Sequence, residues 1–327
     1  MKIGTTDIID IKFGTTQIQK IMNGSSLVWE FIASLPEYIF SSTNTSTIKK
    51  YNKSGLTYIT QSVPYGGMIR GASIDDTYIY VVGLTTQKIR KYLKSDLSYV
   101  GESPAIGGDA FCLAMDDTHI YVGSSLNTVR KYLKSDLSYV GTTASYGGAV
   151  LAIAINSTYI FVGGATSGRV NRYIKSTMAY NAQTGVVTDV IYAIAIDDTN
   201  IYAGGGYDGS SVRTVKKYNI STMAYVSQTA AYGNTIRTIS LDDTNFFVGG
   251  DSQSNYAYVV KKFLKTTMAY VSQTAGNLGT SINVIKNFDS YIYISSKKTI
   301  SCILKSNMSL VSSSVDEGSS YILEIDV

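Results

Sequence analysis

The stretch LAIAINSTYIFVGGATSGRVNRYIKSTMAY, residues 151–180, contains four largely apolar segments separated by polar or glycine-rich turns. Residues 151–155 form a continuous apolar run, and residues 159–164 form a second one that ends in two glycines. Residues 170–173 and 178–180 follow at similar spacing. Short segments rich in β-branched and aromatic residues, bounded by turn residues, predict four consecutive β-strands.

The same unit of 40 to 45 residues occurs seven times along the chain. Residues 90–101 and 130–141 are identical, which indicates that the units arose by duplication. An aromatic residue marks the third strand of six copies, and Ile303 takes its place in the seventh; the aromatic positions are Tyr51, Tyr92, Tyr132, Tyr173, Tyr218 and Phe263. Repeats of this length with four strands each predict a β-propeller, in which every unit forms one blade.

The two ends of the repeat array complement each other. The first copy begins at residues 38–40, which correspond to the second strand of the other copies, so its first strand is missing. Residues 321–327 form an extra apolar strand at the end of the chain and can supply it. The sequence therefore predicts an all-β fold: residues 36–327 form a seven-bladed β-propeller closed by the C-terminal strand.

The amino-acid composition indicates which kinds of molecule the protein can be expected to bind. The net charge is +4 and 16% of the residues are charged, against about 25% in an average soluble protein. A charge this small gives no reason to expect nucleic-acid binding. The polar, tyrosine-rich composition suits an extracellular or virion protein that meets sugars, although an AT-rich genome would favour many of the same residues.

No apolar stretch reaches the roughly 20 residues that cross a bilayer, and the first residues lack the apolar core of a signal peptide. We therefore expect synthesis in a cytoplasm without a signal peptide, and no membrane insertion. The two cysteines, Cys112 and Cys302, fall in distant blades and are expected to be free thiols.

Two polar patterns repeat within the blades. Asp-Asp-Thr, first seen at residues 75–77, recurs between first and second strands; it suggests either a calcium site or, more simply, turns in which Asp bonds its own backbone. His119, the single histidine, lies beside such a turn and is expected at the surface. Basic residues also repeat in the third strands, where they either form a positive ring for an anionic glycan or lay their stems across aromatic neighbours. No metal or other cofactor is expected.

The variable segments are where function is sought. The loops between second and third strands of blades 5 and 6 are longer than in blades 2 to 4, and they share a rim with the connections between blades, which carry Tyr65, Tyr146 and Tyr232. Exposed tyrosines beside amide and carboxylate groups suit sugar or protein binding, while simple tolerance of longer loops would explain the same feature. The predicted ligand-binding residues are Tyr207, Asp208, Asp251, Asn255 and Tyr256.

Residues 1–35 have their own repeat, with a period of ten and glycines at Gly4, Gly14 and Gly24. Each repeat predicts a glycine turn and a short strand, and three such strands are too few to bury a core alone. We therefore predict an N-terminal β module that attaches to another protein, or that docks on the propeller or on a tandem copy. Its attachment residues are Ile8, Ile11, Ile18, Ile21, Val28 and Trp29.

The module also resembles a known group of proteins. Residues 18–30, IQKIMNGSSLVWE, resemble the glycine-punctuated segment ending in Leu-Val-Trp that occurs in tail and baseplate proteins of bacteriophages and prophages. The resemblance covers about 30 residues and implies attachment to other virion proteins, next to variable receptor-binding domains. It brings no catalytic residues.

Three functions remain open from the sequence. The first is a non-enzymatic virion protein of a phage tail, fibre or baseplate, whose propeller binds a host-surface glycan or protein. The second is a structural propeller that contacts only other virion proteins. The third is a glycan-cleaving enzyme, which requires two carboxylates at a set separation; Asp208 and Asp251 are the candidates on the variable loops. We expect no enzymatic activity.

Overall fold

The structure is a computed structural model of the chain. It describes residues 2–3, 6–13, 16–23, 26–33, 38–42, 46–206, 213–251, 259–276, 278, 281–296, 299–314 and 322–325, and for residues 2–33 and 322–325 it gives backbone pairing alone. All the elements in these ranges are β-strands. No helix in these ranges is long and apolar enough to cross a membrane.

The N-terminal residues form a four-stranded antiparallel sheet of their own. Its strands, in order, are β1 (Lys2–Ile3), β2 (Thr6–Phe13), β3 (Thr16–Asn23) and β4 (Ser26–Ala33). The three long strands begin two residues after Gly4, Gly14 and Gly24, so the ten-residue period of the sequence is also the spacing of the strands. Ile8 pairs with Ile21 and Ile21 with Trp29, while Ile11 pairs with Ile18. The boundary between modules at residue 35 stays a prediction.

Seven four-stranded antiparallel sheets make up the rest of the fold. Blade 1 consists of β5 (Tyr38–Ser42), β6 (Ile48–Asn52), β7 (Thr57–Gln61) and, as its first strand, β32 (Ile322–Ile325). Blade 2 consists of β8 (Ile69–Ile74), β9 (Tyr78–Gly83), β10 (Arg90–Leu93) and β11 (Tyr99–Glu102). Blade 3 consists of β12 (Ala110–Met115), β13 (His119–Ser124), β14 (Val129–Leu133) and β15 (Tyr139–Thr142). Blade 4 consists of β16 (Val150–Ile155), β17 (Tyr159–Gly164), β18 (Asn171–Ile174) and β19 (Tyr180–Gln183).

The remaining blades have the same plan. Blade 5 consists of β20 (Ile191–Ile196), β21 (Asn200–Gly205), β22 (Lys216–Asn219) and β23 (Tyr225–Gln228). Blade 6 consists of β24 (Ile236–Leu241), β25 (Asn245–Gly250), β26 (Lys261–Leu264) and β27 (Tyr270–Gln273). Blade 7 consists of β28 (Ile282–Phe288), β29 (Tyr291–Ser296), β30 (Ile300–Leu304) and β31 (Leu310–Ser313).

The predicted closure of the ring is confirmed. Strand β32 pairs antiparallel with β5, so that Ile322 lies opposite Ser42 and Ile325 opposite Ile39. Each first strand contacts the first strands of its two neighbours, and β32 contacts both β28 and β8. The last strand of the chain therefore joins the seventh blade to the second through the first.

The hydrophobic core is divided among the seven seams between neighbouring blades, with one buried cluster at each. At the first seam, Phe40 and Ile48 of blade 1 pack with Ile79, Val81 and Tyr92 of blade 2. Second strands are buried along nearly their whole length because both faces of a blade meet a neighbour. This explains why they read as continuous apolar runs in the sequence.

A bulky residue in a left-handed conformation occurs at the turn before the fourth strand of every blade. Leu97, for example, has a φ of 62° and is 1% exposed. A left-handed conformation costs a non-glycine residue about 1–2 kcal/mol, and burying a Leu or Met side chain returns about 1.5–3 kcal/mol, so burial outweighs the backbone strain. The seven positions are Leu56, Leu97, Leu137, Met178, Met223, Met268 and Met308.

A buried hydroxyl group follows the fourth strand of every blade. In blade 4 the hydroxyl of Thr184 accepts a hydrogen bond of 3.0 Å from the backbone N–H of Val170, and it donates one of 2.8 Å to the carbonyl of Gly185. The hydroxyl group thus both accepts and donates a hydrogen bond inside the fold. The equivalent residues are Ser62, Ser103, Thr143, Thr184, Thr229, Thr274 and Ser314.

Replacing Thr184 with Val should lower the free energy of unfolding by about 1–3 kcal/mol, because it leaves a buried N–H without an acceptor. Thr184→Ser is the matched control, since serine fills this position in three other blades, and it should retain most of the stability. Urea denaturation measures both variants. Equal stability of Thr184→Val and the parent would contradict the role given to the hydroxyl.

Both cysteines are free, as predicted. Cys112 lies in the first strand of blade 3, and Cys302 is buried in the third strand of blade 7. Burial raises the pKa of the Cys112 thiol to about 12. Both groups therefore behave as small core residues rather than as nucleophiles.

Candidate functional site

The propeller has two rims. We call the rim with the loops between second and third strands, and with the connections between blades, the loop rim. The other rim carries the turns between first and second strands and between third and fourth strands, and we call it the turn rim. The predicted ligand site lies on the loop rim at blades 5 and 6. Of its five residues the structure describes Asp251; the other four lie outside the described residues, namely Tyr207, Asp208, Asn255 and Tyr256.

Asp251 forms a two-point ion pair with Arg237. The Nε atom of Arg237 donates to Oδ1 of Asp251 at 2.8 Å, and its second guanidinium nitrogen lies 2.8 Å from Oδ2. Arg237 is the second residue of β24 and remains exposed, and its guanidinium carbon lies 5.8 Å from the ring centre of Tyr192 in blade 5. A cation, a carboxylate and an aromatic ring thus meet between two blades.

A second arginine lies at the same seam. Arg213 is 8% exposed; it donates to the hydroxyl of Thr188 at 3.0 Å, and its guanidinium lies 3.7 Å from the carboxylate of Asp189. Its side chain crosses the backbone of Gly206, which has a φ of 124°, and a Cβ there would lie 2.2 Å from Nε of Arg213. Glycine at position 206 therefore makes room for the guanidinium.

These positions differ from blade to blade. The residues that correspond to Arg237, second in the first strand, are an arginine in blade 2 and uncharged residues in four other blades; they are Arg70, Phe111, Leu151, Tyr192 and Asn283. Those that correspond to Asp251 are equally diverse, with Leu84, Ser125, Ala165 and Gly206. Variation at fixed positions of a duplicated scaffold favours a role in recognition over one in folding.

The tyrosines of the blade connections are not exposed, contrary to expectation. Tyr65, Tyr146 and Tyr232 are at most 7% exposed, and their hydroxyls donate to the backbone carbonyls of Lys88, Arg169 and Val259 in the next blade. They join neighbouring blades rather than facing a ligand. Among the residues whose side chains the structure describes, the exposed tyrosines lie instead on the outer strands, at Tyr58, Tyr99, Tyr139, Tyr180, Tyr225 and Tyr270.

On the turn rim, the first aspartate of the Asp-Asp-Thr turns in blades 2, 3 and 5 has two roles. In blade 2, Oδ1 of Asp75 accepts the backbone N–H groups of Thr77 and Tyr78 at 3.0 and 2.8 Å, as expected for an Asx turn. Oδ2 accepts the hydroxyl of Tyr80 at 3.1 Å and pairs with the ammonium of Lys134 in blade 3 at 2.9 Å. The repeated aspartate thus makes a turn and bridges a seam.

The same bridge occurs at two further seams. Asp116 pairs with Lys175 at 3.0 Å, and Asp197 with Lys265 at 3.3 Å. Burial opposes ionisation of these carboxyls, but the bonds from lysine, tyrosine and backbone N–H groups outweigh it, so the pKa of Asp75, of Asp116 and of Asp197 lies below its usual value. The repeated aspartates and lysines are visible in the sequence, but their pairing across blades is not.

All three partners of the bridge are replaced together at the seam between blades 4 and 5. Asn156 stands in place of the aspartate and still accepts the backbone N–H groups of Thr158 and Tyr159. The tyrosine and lysine positions hold Phe161 and Ile220, which belong to one buried cluster. An apolar set and a charged set are therefore alternative solutions to the same seam.

Transplanting the apolar set tests this equivalence. Lys265→Ile alone should destabilise the protein by about 1–3 kcal/mol, because the carboxylate of Asp197 loses its charged partner. Adding Asp197→Asn and Tyr202→Phe should restore most of the loss. A triple variant no more stable than the single one would contradict the idea of alternative sets.

The triple variant should also resist acid better than the parent. An aspartate with a lowered folded pKa contributes stability above its unfolded value of about 3.9, and this stability is lost as the pH falls toward the folded pKa. Between pH 4 and pH 2 the free energy of unfolding should therefore fall less steeply in the triple variant, and a parallel fall would contradict this assignment.

The third-strand basic residues support the packing interpretation. Lys50, Lys91 and Lys217 are buried, and their ammonium groups lie over second-strand tyrosines while donating to carbonyls of the next blade. Burial lowers the pKa of Lys91 and of Lys217. These groups connect blades and are not presented as a positive ring.

His119 lies on the turn rim, partly exposed as expected, with Nδ1 2.7 Å from the hydroxyl of Thr118. Within the described ranges, no three His, Cys, Asp or Glu side chains are grouped as metal ligands. The Asp-Asp-Thr turns are therefore explained by backbone and seam bonding.

Comparison with known proteins identifies the fold. No family model matches the chain, and no curated protein does. Among solved structures, the computationally designed protein Ika8 is similar, with a TM-score of 0.67 and 12% sequence identity over 97% of this chain and 89% of that chain. At such low identity the similarity shows the fold alone, and the protein is a seven-bladed β-propeller.

Proposed function

We propose that the protein is a non-enzymatic binding propeller whose ligand face is the loop rim at blades 5 and 6. One observation carries the proposal. The repeated polar residues form bonds that join neighbouring blades. The residues at the seam between blades 5 and 6 instead vary among the blades; they are Arg237, Asp251, Arg213 and Tyr192. The long loops of the same two blades, at residues 207–212 and 252–258, lie outside the described residues, and their sequences also differ from those of the other blades.

The chemistry of that seam favours a glycan, with a protein as second choice. Guanidinium groups and carboxylates hydrogen-bond sugar hydroxyls, and an adjacent aromatic ring packs against the apolar face of a sugar ring. Arg237 is exposed enough to reach a ligand, and its two bonds to Asp251 hold the guanidinium in one orientation. Such preorganisation lowers the entropy cost of binding.

The N-terminal sheet is proposed as the attachment module of a virion protein, in a phage tail, fibre or baseplate. Support comes from its separate sheet, its ten-residue period and its resemblance to phage segments. Ile8, Ile21 and Trp29 lie in one row across three strands, and Ile11 and Ile18 form a pair three residues away along β2 and β3. The proposed partners are other virion proteins through this sheet and a host-surface molecule through the propeller.

The contacts of Asp251 also agree better with a binding role than with glycan hydrolysis. A glycosidase needs one carboxyl group that donates a proton and a second that acts as nucleophile or base. Both oxygens of Asp251 are already held by the guanidinium group of Arg237, so neither oxygen is left to serve a sugar as proton donor or nucleophile. We therefore propose no catalytic step.

Replacing Tyr207 and Tyr256 together with alanine tests the ligand face. Binding to host cells or to an arrayed glycan should weaken by about 1–3 kcal/mol per lost aromatic contact, while the melting temperature stays unchanged. His119→Ala, on the turn rim, is the control and should bind like the parent. If the double variant binds as well as the parent, the propeller is better explained as a scaffold among virion proteins.

A further inference from the structure

A large cavity opens on the turn rim between blades 2 and 3, on the opposite side from the loop rim. Its volume is about 850 Å³, within the range of about 300–1,000 Å³ that is typical of small-molecule sites. First-strand residues form its inner wall, the two Asp-Asp-Thr turns flank it, and the third-to-fourth-strand turn of blade 3 borders it on a further side. The turn sequences of this rim repeat from blade to blade and gave no indication of a ligand site.

The cavity offers hydrogen-bond acceptors that the fold does not use. Asp76 and Asp117 are exposed and form no hydrogen bond or ion pair within the described part of the chain. Asp75 and Asp116 beside them are engaged in their seam bridges. Each turn thus uses its first aspartate for folding and leaves its second at the cavity.

Hydrogen-bond donors and apolar groups complete the lining. Lys134 contributes an ammonium group, and Thr77 and Ser135 contribute exposed hydroxyls. Tyr78 and Met115 add apolar surface, and the ammonium of Lys91 lies 3.8 Å from the ring centre of Tyr78 and fixes the ring in place. Acceptors, donors and an aromatic ring in one concavity match the alternating polar and apolar surface of a sugar.

The charges of the lining disfavour an anionic ligand. Four carboxylates line the cavity against two ammonium groups, so an anion meets net repulsion. A small cation would have to approach the ammonium groups of Lys91 and Lys134, which already contact the ring of Tyr78 and the carboxylate of Asp75. A neutral polyhydroxylated molecule can donate hydrogen bonds to the carboxylates and accept hydrogen bonds from the ammonium groups at the same time.

We propose that this cavity binds a short segment of an uncharged oligosaccharide, with Asp76 and Asp117 accepting bonds from its hydroxyls and Tyr78 contacting a ring face. The proposal is independent of the loop-rim site. Blades 5 and 6 repeat the paired aspartates at residues 197–198 and 242–243, but Asn200 replaces the tyrosine there. Tyr78 therefore distinguishes the two seams.

Isothermal titration calorimetry on the full chain tests the proposal, with maltotriose, cellotriose, mannotriose and N,N′,N″-triacetylchitotriose as neutral probes. At least one trisaccharide should bind. Its affinity should fall about tenfold or more in Asp76→Asn/Asp117→Asn, as for the loss of a bonded group worth about 1.4 kcal/mol, and also in Tyr78→Asn, which installs the residue found in blade 5. Asp198→Asn/Asp243→Asn changes the equivalent turns of blades 5 and 6 and should bind like the parent.

Three outcomes overturn the proposal. The first is that none of the four trisaccharides binds. The second is that the control pair loses affinity as much as Asp76→Asn/Asp117→Asn does. The third is that spermidine binds and is lost with that pair while the sugars do not bind, which would make the cavity a cation site. Retained trisaccharide affinity in the Tyr207→Ala/Tyr256→Ala variant separates this site from the loop rim.

Discussion

A chain that ends at residue 320 should melt well below the full-length protein, by roughly 10 °C or more. The truncation removes β32, whose four residues pair with β5, and with it the contacts that join the first strands of blades 7 and 2. Lost backbone bonds at about 0.5–1.5 kcal/mol each amount to several kcal/mol, and one kcal/mol shifts the melting temperature of a large domain by about 2–4 °C. Differential scanning calorimetry measures the shift.

The truncated chain should also associate, because β5 becomes an unpaired edge. Size-exclusion chromatography should show oligomers that the parent lacks. The control is residues 31–327, which keep β32 and lose most of the N-terminal sheet; this fragment should stay soluble, β-rich and as stable as the parent. Unchanged melting and a single monomeric species after removal of residues 321–327 would contradict closure by the last strand.

Gly164→Ala should be among the most destabilising single substitutions in the chain, with a loss of about 3 kcal/mol or more. Gly164 ends the second strand of blade 4, and an added Cβ would lie 1.9 Å from the carbonyl oxygen of Ala149. Overpacking a tight site typically costs about 1–3 kcal/mol and more where the backbone itself must move. The clash here is with backbone, so no rotamer change relieves it.

Gly185→Ala is the matched control in the same blade, because an added Cβ there has no neighbour within 4 Å. This variant should be as stable as the parent or slightly more stable, since alanine restricts the unfolded chain. Guanidinium denaturation compares the two variants. Similar losses for Gly164→Ala and Gly185→Ala would show that close approach at the strand end is not what requires glycine.

The repeat and its closure were predictable because they depend on local patterns. Residues 151–155 and 159–164 read as strands from their apolar content, and the missing strand before Tyr38 pointed directly to residues 321–327. The free state of Cys112 and Cys302 followed from their placement in different blades. Each of these inferences needed only the order of the strands.

The exposure of the connecting tyrosines was predicted wrongly. Tyr65 precedes two glycines in an apparent surface loop, yet it is 0% exposed and its hydroxyl donates to the carbonyl of Lys88. A loop sequence shows that the backbone turns, but whether the neighbouring blade covers the side chain depends on contacts 23 residues away. The ion pair between Asp75 and Lys134 was not predicted from the sequence for the same reason.

The sequence predicted the position of the candidate site in the fold, but not the contacts within it. Irregular loop length pointed to blades 5 and 6, and Asp251 was selected there as a carboxylate. Its ion pair with Arg237 was not foreseen, because Arg237 lies in a first strand that the repeat presents as scaffold. The turn-rim cavity was not foreseen either, since a cavity arises from the space between two blades.

The sequence by itself determined the number of blades, their strands and the closure of the ring, because strand periodicity and repeat length are properties of neighbouring residues. Only the tertiary structure decided which repeated side chains bind across seams and which remain available to a ligand. Asp75 and Asp76 are adjacent and chemically identical, yet the first pairs with Lys134 and the second stays exposed. The physical reason is that the packing of one blade against the next, and not the local sequence, sets the surroundings of each carboxylate.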